Sequence, residues 1–79
     1  MSANILIAKR IRELREERNL TQEELAWKSE VNRTFMNHVE NGRRNISIET
    51  LEKILNGLDI SFTDFFSSEK FHGNKKKRK

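Results

Sequence analysis

Residues 21–45, TQEELAWKSEVNRTFMNHVENGRRN, constrain the fold more than any other part of the chain. Two residues that favour helix N-caps, Thr21 and Asn32, each precede a run of apolar residues at helical spacing. Glu24 follows Thr21 at the spacing of a capping box, and Gly42 supplies a left-handed stop after the second run. The segment therefore predicts two short helices joined by a tight turn, with an Arg- and Asn-rich loop behind them.

The rest of the chain continues the helical pattern. It contains no proline, and the alternation of β-branched residues that is typical of strands is absent. We predict helix 1 over about residues 5–18, helix 3 over about residues 32–41, and helix 4 after the cap Ser47. Ser61 and Asp64 have capping-box spacing and predict a short fifth helix. The expected fold is all-α, a compact five-helix bundle with brief loops.

Size and composition limit the architecture. The chain has 79 residues and no cysteine, so we expect one domain without disulfides or thiolate metal ligands. We place that domain at residues 1–68 and a basic, flexible tail at residues 69–79. No apolar run approaches the roughly 18 residues of a membrane span, and the first residues lack a signal-peptide pattern. These features predict a cytoplasmic protein with no membrane partner.

The positive charge of the chain is concentrated at its C-terminus. The formal net charge is +4, and residues 70–79 hold six Lys and Arg residues and no acid. Residues 1–69 contain the other ten cations and all twelve acids, which leaves that part at −2. If the body binds nucleic acid, it must use a few well-placed cations rather than a generally basic surface.

The predicted third helix separates apolar and polar residues onto opposite sides. Its outward side carries hydrogen-bonding groups at helical spacing, namely Arg33, Thr34, Asn37, His38 and Asn41. Arg33 suits the O6 and N7 atoms of guanine, Asn37 suits N6 and N7 of adenine, and the Thr34 methyl suits thymine. A solvated polar face is the alternative, although such a face usually favours Glu and Lys over amides and hydroxyls.

Segments on both sides of the third helix can hold DNA phosphates. Gln22 stands at the start of helix 2, where free backbone amides and its own amide favour an anion. Arg43, Arg44 and Asn45 directly follow helix 3. Phosphate contacts position a protein on the duplex and base contacts specify the sequence. Adjacent segments offer both classes of contact, which favours DNA binding over a generic amphipathic helix.

The pieces LREERNLTQEELA, VNRTF and VENG resemble the Cro- and phage-repressor-like helix-turn-helix family. The segment RTFMNHVENGRRNISIETLEKI is more narrowly similar to the controller proteins of restriction–modification systems, which are small dimeric transcription regulators. The resemblance covers nearly the whole chain except its tail. It implies a homodimer that binds palindromic operators in double-stranded DNA and activates or represses transcription.

The resemblance also implies roles for individual residues. Gln22 matches a glutamine that grips a phosphate. Positions that read bases or backbone fall on Asn32, Arg33, Thr34, Phe35 and His38. Positions in the next loop that contact the backbone or the groove edge fall on Arg43, Arg44 and Asn45. Arg15 and Glu40 match an internal ion pair that fixes the reading helix, for which a weak surface salt bridge is the alternative.

The chain departs from the family pattern in the turn between helices 2 and 3. Glu30 stands where the family usually has glycine. If the backbone there is left-handed, a residue with a side chain costs about 1 kcal/mol. We therefore predict that Glu30→Gly stabilises the fold.

Four apolar residues near the end of the body predict a dimer seam, namely Ile60, Phe62, Phe65 and Phe66. The inner face of so short a helix cannot bury all three phenylalanines, so some should be exposed in a monomer. An ordinary small core is the alternative. A two-fold dimer would present two reading helices about 34 Å apart, one turn of DNA.

Two charged segments lie outside the reading unit. Four acidic residues surround helix 2, namely Glu16, Glu17, Glu23 and Glu24. In family members that activate transcription, such a surface touches the sigma subunit of RNA polymerase, which the resemblance makes a candidate partner. A solvated helical face explains the acids equally well. The basic tail either attracts phosphates without sequence preference or keeps the chain soluble.

Other classes of function fit the sequence less well. No nucleophile–base set, Gly-rich phosphate loop or metal-spaced cluster argues for an enzyme, a cofactor or a metal site. Among regulators, a phage-type repressor and an antitoxin-like autorepressor are alternatives to a controller. A helical protein–protein adaptor is the alternative outside that class. The residues favour a homodimeric, DNA-binding transcription regulator.

Overall fold

Helices and turns make up the computed structural model, which describes residues 2–71. The helices are α1 (Ala3–Glu17), α2 (Gln22–Ser29), α3 (Arg33–Glu40), α4 (Ile48–Leu58) and α5 (Phe62–Phe66), followed by the 3₁₀ turn Glu69–Phe71. The predicted all-α class is confirmed, and the observed helices start and end close to the predicted bounds. None of the helices in this part of the chain is both long and apolar enough to cross a bilayer.

Short polar side chains begin all five described helices, and α1 begins after Ser2, whose hydroxyl accepts the Ile5 N–H. The predicted caps each accept a hydrogen bond from a backbone N–H three residues later, at Thr21, Asn32, Ser47 and Ser61. The capping box at Thr21 is complete, because its N–H also donates to the Glu24 carboxylate at 2.8 Å. At Ser61 only one of the two hydrogen bonds of the predicted capping box forms: the Ser61 hydroxyl oxygen accepts the Asp64 N–H at 3.0 Å. These caps define where helices of this length start.

A residue with left-handed backbone follows each of four helices, α1 to α4. The φ angles lie between 58° and 72° at Asn19, Glu30, Gly42 and Asp59. The residue after each of them donates its N–H to the carbonyl five residues earlier, at 3.0 or 3.1 Å. This is the Schellman arrangement, which satisfies carbonyls that the helix leaves unpaired. Glu30 therefore does adopt the conformation that favours glycine.

The core lies between α2, α4 and the inner sides of the other helices. Its buried members are Ile11, Leu14, Leu25, Ala26, Met36, Val39, Leu51, Ile54, Leu55, Leu58 and Phe65. At Gly57, α4 comes so close to α2 that an added Cβ would lie 2.4 Å from Ser29 Oγ and 3.1 Å from Ser29 N. Gly57 weakens α4 as an isolated helix, but a side chain at this position would need Ser29 to shift.

Two arginines, Arg10 of α1 and Arg18 directly after α1, connect the C-terminal helices to the body. Arg10 donates to the carbonyl oxygens of Asp64 and Phe65 at 3.0 and 2.8 Å, and Arg18 Nε donates to the Leu58 carbonyl at 2.8 Å. Cations are favourable beside the last carbonyls of a helix, because those carbonyls lack intrahelical partners. These two arginines therefore serve the fold.

The folded body continues past the predicted boundary at residue 68. Phe71, in the 3₁₀ turn, packs against the core, and its ring centroid lies 5.9 Å from that of Phe65 and 5.0 Å from that of Phe66. The C-terminal phenylalanines thus form a small aromatic cluster. The remaining residues of the predicted tail, 72–79, lie outside the described residues.

Candidate nucleic-acid interface

The exposed side of α3 brings the base-reading candidates together. Arg33, Thr34, Asn37 and His38 line one shallow depression with Gln22 of α2. Arg33 and Thr34 are exposed, and their side chains have no hydrogen-bond or ion-pair partner within residues 2–71. They can therefore meet donors, acceptors and methyl groups at the edges of bases. No group of three or more His, Asp or Glu side chains in the same residues is placed to hold a metal ion.

The opposite side of α3 holds the helix in place. Met36 and Val39 are buried, and Val31 packs half-buried against the core. The Asn32 side-chain oxygen accepts the Phe35 N–H at 2.7 Å. The apolar stripe sets the rotation of the helix and turns its polar residues outward. Asn32 was predicted to read bases or backbone, but its side-chain oxygen is used in the cap of α3.

The structure contains the ion pair predicted between Arg15 and Glu40, and the pair is sheltered from water. Arg15 Nε and Nη2 donate to the two carboxylate oxygens at 2.7 and 3.0 Å, and the Glu40 side chain is 1% exposed. Arg15 Nη1 donates to the Leu20 carbonyl at 2.7 Å. A bidentate pair of this kind joins α1 to α3 and differs from the weak surface bridge that was the alternative.

Gln22 and Asn37 are engaged with other side chains of the interface. Gln22 Nε2 donates to Glu40 Oε1 at 3.1 Å, and Asn37 Nδ2 donates to Gln22 Oε1 at 3.1 Å. Asn37 Oδ1 accepts from Asn41 Nδ2 at 3.2 Å. The phosphate-binding candidate and one base-reading candidate thus belong to a single hydrogen-bonded set that starts at the buried ion pair.

The loop after α3 is attached to the body at two points. The Arg44 guanidinium lies over the Phe35 ring, 5.6 Å from its centroid, and Asn45 Oδ1 accepts from Asn4 Nδ2 at 2.6 Å. Arg43 is exposed, and its side chain has no partner in the described part of the chain. Cation–π stacking restrains Arg44 beside α3, so Phe35 helps to place a cation at the interface.

Two further asparagines contact the predicted DNA-binding residues. Asn41, which was predicted on the outward side of helix 3 but not among the DNA contacts, donates to Asn37. Asn4 meets Asn45 across 41 residues of sequence, and no local pattern connects them. Both contacts hold predicted residues in place, one at the end of α3 and one between the loop after α3 and the start of α1.

The predicted dimer seam requires one correction. Phe65 is 0% exposed in the single chain, because its ring belongs to the core and packs edge-on against Phe66 at 4.9 Å. Phe62 and Phe66 are 39% and 37% exposed, and Ile60 is half-buried. A surface seam can use these three residues, whereas Phe65 stabilises the monomer.

Known proteins are similar to this chain in sequence and in fold. Residues 11–65 match the helix-turn-helix family model. The control protein C.MunI of a Mycoplasma species is 39% identical over 64 residues, which cover 80% of this chain and 86% of that protein. A solved structure of the restriction-modification controller protein C.Esp1396I, a tetramer in complex with its natural 35-base-pair operator, matches at 37% identity with a TM-score of 0.80. That match covers 84% of this chain and 88% of the other.

A second solved structure gives the same result. The restriction-modification controller protein C.AhdI from Aeromonas hydrophila is 36% identical to this chain and superimposes with a TM-score of 0.76. The match covers 80% of this chain and 96% of C.AhdI. The similarity therefore extends over most of each relative and includes α3 and both flanking segments.

Proposed function

This chain belongs to the helix-turn-helix family of transcriptional regulators, and we propose that it is a controller of a restriction–modification system. As a homodimer it binds palindromic operators, activates the endonuclease gene at low concentration and represses its own gene at higher occupancy. The observation that carries the proposal is the exposed pair Arg33 and Thr34, held outward by the buried Arg15–Glu40 ion pair. The chain is a regulator and not an enzyme.

The exposed side of α3 enters the major groove of the operator. Arg33 donates two hydrogen bonds to a guanine, and the Thr34 methyl contacts a thymine. Gln22, Arg43 and Arg44 bind phosphates on the flanks, which sets the register without selecting a sequence. Because residues 1–69 carry a net charge of −2, attraction of the body to DNA depends on these few placed groups.

Two copies pair through the surface formed by Ile60, Phe62 and Phe66, which we call the α5 seam. Partly exposed phenylalanines support this choice, because burying them removes apolar surface from water. A two-fold seam repeats α3 about 34 Å away, so two half-sites one helical turn apart are read together. Such a dimer works on DNA in the cytoplasm.

RNA polymerase sigma subunit is the partner that we propose for activation. The acidic residues around α2 differ in availability, since Glu24 caps its helix at 2.8 Å and Glu16 pairs with Arg12 at 3.2 Å. Glu23 is exposed and has no side-chain partner within the described residues, and the neighbouring Trp27 is 80% exposed. A basic, partly apolar partner surface would meet complementary charge and an aromatic anchor here.

Neutralising two exposed acids tests this contact: Glu23, and Glu17, whose ion pair with Arg18 is long at 3.9 Å. Glu17→Gln with Glu23→Gln should reduce promoter activation and leave operator affinity unchanged, as measured by a reporter and by duplex titration. Glu49→Gln with Glu52→Gln removes the same charge from exposed positions of α4 and serves as the control. Full activation by the variant with Glu17→Gln and Glu23→Gln would show that these two acids only interact with solvent.

Selection of bound duplexes from a random pool tests the DNA-binding core of the proposal. The wild-type chain should enrich a two-fold-symmetric site. Arg33→Ala should relax the preference at one base pair in each half-site, by about 1–3 kcal/mol. Arg12→Ala is the matched control, because it removes the same charge from an exposed pair with Glu16 on α1. A pool without enrichment would favour a protein–protein adaptor.

Gene context separates a controller from the other regulators. Methyltransferase and endonuclease genes beside this gene support the controller assignment, and a reporter on the endonuclease promoter should then respond to the protein in both directions. Repression alone, at every protein concentration, would favour a phage-type repressor. Repression that is tightened by a neighbouring toxin would favour an antitoxin-like autorepressor.

A further inference from the structure

Three side-chain amides and one carboxylate form a directional chain of hydrogen bonds across the interface. Asn41 Nδ2 donates to Asn37 Oδ1 at 3.2 Å, Asn37 Nδ2 donates to Gln22 Oε1 at 3.1 Å, and Gln22 Nε2 donates to Glu40 Oε1 at 3.1 Å. We call these four residues the amide relay. Each amide gives a hydrogen to the next member, and the relay ends on a buried anion.

The buried end fixes the direction of the whole relay. Glu40 forms a two-point ion pair with Arg15 at 2.7 and 3.0 Å, and a carboxylate in such a pair can only accept hydrogen bonds. Gln22 must therefore turn Nε2 toward Glu40, which leaves Oε1 facing Asn37. Asn37 must then present Nδ2 to that oxygen, and its own oxygen faces Asn41.

The relay leaves a defined group on Gln22 for DNA. A primary amide has two hydrogens on nitrogen, and Glu40 takes one from Gln22 Nε2. The second hydrogen is available to a phosphate oxygen. The terminal amide torsion of a free glutamine is broad and roughly two-fold. Glu40 restrains the nitrogen end of the Gln22 amide and Asn37 restrains its oxygen end, so both contacts together hold the plane of the amide.

We propose that Asn37 is a positioning residue that keeps the Gln22 Nε2 hydrogen directed at the DNA backbone, and that it is not a reader of adenine. The inference rests on the proposed DNA-binding function. Both polar atoms of the Asn37 amide have partners inside the protein, whereas Arg33 and Thr34 on the same helix have none among residues 2–71. Arg33 and Thr34 therefore select the bases.

A double-mutant cycle tests the proposal against base reading. Affinities are measured for wild type, Gln22→Ala, Asn37→Ala and the double variant, on the selected operator and on a set with single-base changes. Asn37→Ala should lower affinity roughly three- to ten-fold, the scale of one hydrogen bond, and equally for every duplex. In the Gln22→Ala background it should cause no further loss, because it acts through Gln22.

Two results would overturn the proposal: a preference that relaxes at one base pair in Asn37→Ala, or losses that add in the double variant. Asn56→Ala, an exposed asparagine on α4, should leave affinity unchanged and is the matched control. Thermal unfolding of each variant checks that the fold is retained.

Nuclear magnetic resonance of the free protein tests the relay without DNA. Asn37→Ala should shift the Gln22 side-chain NH₂ resonances and speed their exchange with water, while Asn56→Ala should leave them in place. Unchanged Gln22 resonances in Asn37→Ala would contradict the relay. If the wild-type chain selects no duplex but the resonances shift, the proposed function fails and the relay stands.

Discussion

At the scale of single residues, Glu30 is the clearest case of a residue type that does not suit its backbone conformation. Its φ of 61° and ψ of 37° lie in the turn that orients α3. This conformation costs about 1 kcal/mol for a residue with a Cβ and little for glycine. The carboxylate is exposed and has no partner within residues 2–71, so its removal breaks no contact.

Glu30→Gly should raise the free energy of unfolding by up to about 1 kcal/mol, because it relieves the left-handed strain. Chemical denaturation at equilibrium measures the change. Glu52→Gly makes the same replacement at an exposed position inside α4, where it should lower stability by about 1 kcal/mol. If both variants lose stability equally, the backbone at Glu30 is not strained.

At the scale of helices, the sequence predicts the ends better than the contacts between them. A cap needs only a hydroxyl or amide and the N–H three residues later, so Thr21, Asn32, Ser47 and Ser61 were predictable from local spacing. The outward face of α3 was predictable for the same reason, because helical periodicity depends on neighbours in sequence.

Contacts that join distant segments could not be predicted from local patterns. Arg10 meets the Phe65 carbonyl across 55 residues, and Arg18 meets Leu58 across 40. In the sequence both look like ordinary cations of a solvated helix face. The same limit explains why Phe65 was wrongly placed in the dimer seam. Composition shows that some phenylalanine must be exposed, but packing decides which one.

Gly57→Ala tests the close approach of α2 and α4. Alanine is the better helix former by about 1 kcal/mol, but its Cβ would lie 2.4 Å from Ser29 Oγ and 3.1 Å from the Ser29 backbone nitrogen. Overpacking of this kind should outweigh the gain in helix propensity and lower the free energy of unfolding by about 1–3 kcal/mol. Adding Ser29→Gly should recover part of the loss, because it removes the nearer atom.

The neighbouring substitution Asn56→Ala supplies the control for that experiment. Asn56 is exposed on the same helix, so alanine there should be neutral or slightly stabilising. A Gly57→Ala protein that is more stable than wild type would mean that the two helices separate at little cost.

At the scale of the whole molecule, self-association through the α5 seam can be tested at one side chain. Phe62→Glu places a charge in the seam and should give a monomer at micromolar concentration in analytical ultracentrifugation. Operator affinity should fall, because linked half-sites no longer bind together. Trp27→Glu, at an exposed aromatic of α2, should remain dimeric, and a dimeric Phe62→Glu would place the seam elsewhere.

The contribution of the C-terminal cations can be tested through ionic strength. Deletion of residues 73–79 removes five Lys and Arg residues, so log affinity should fall less steeply with log salt, by about 0.9 for each phosphate that the tail no longer neutralises. Base preference should stay the same, since point charges carry no sequence information. A changed preference in the truncated protein would contradict a purely electrostatic role.

The exposed indole on α2 gives the molecule a built-in optical reporter. Trp27 is the only tryptophan, and the chain has no tyrosine, so near-ultraviolet emission comes from one ring that is 80% exposed. Unfolding changes the surroundings of that ring little, and circular dichroism is the better measure of stability. A protein that covers the acidic side of α2 should instead shift the emission to shorter wavelength, so docking is visible without a label.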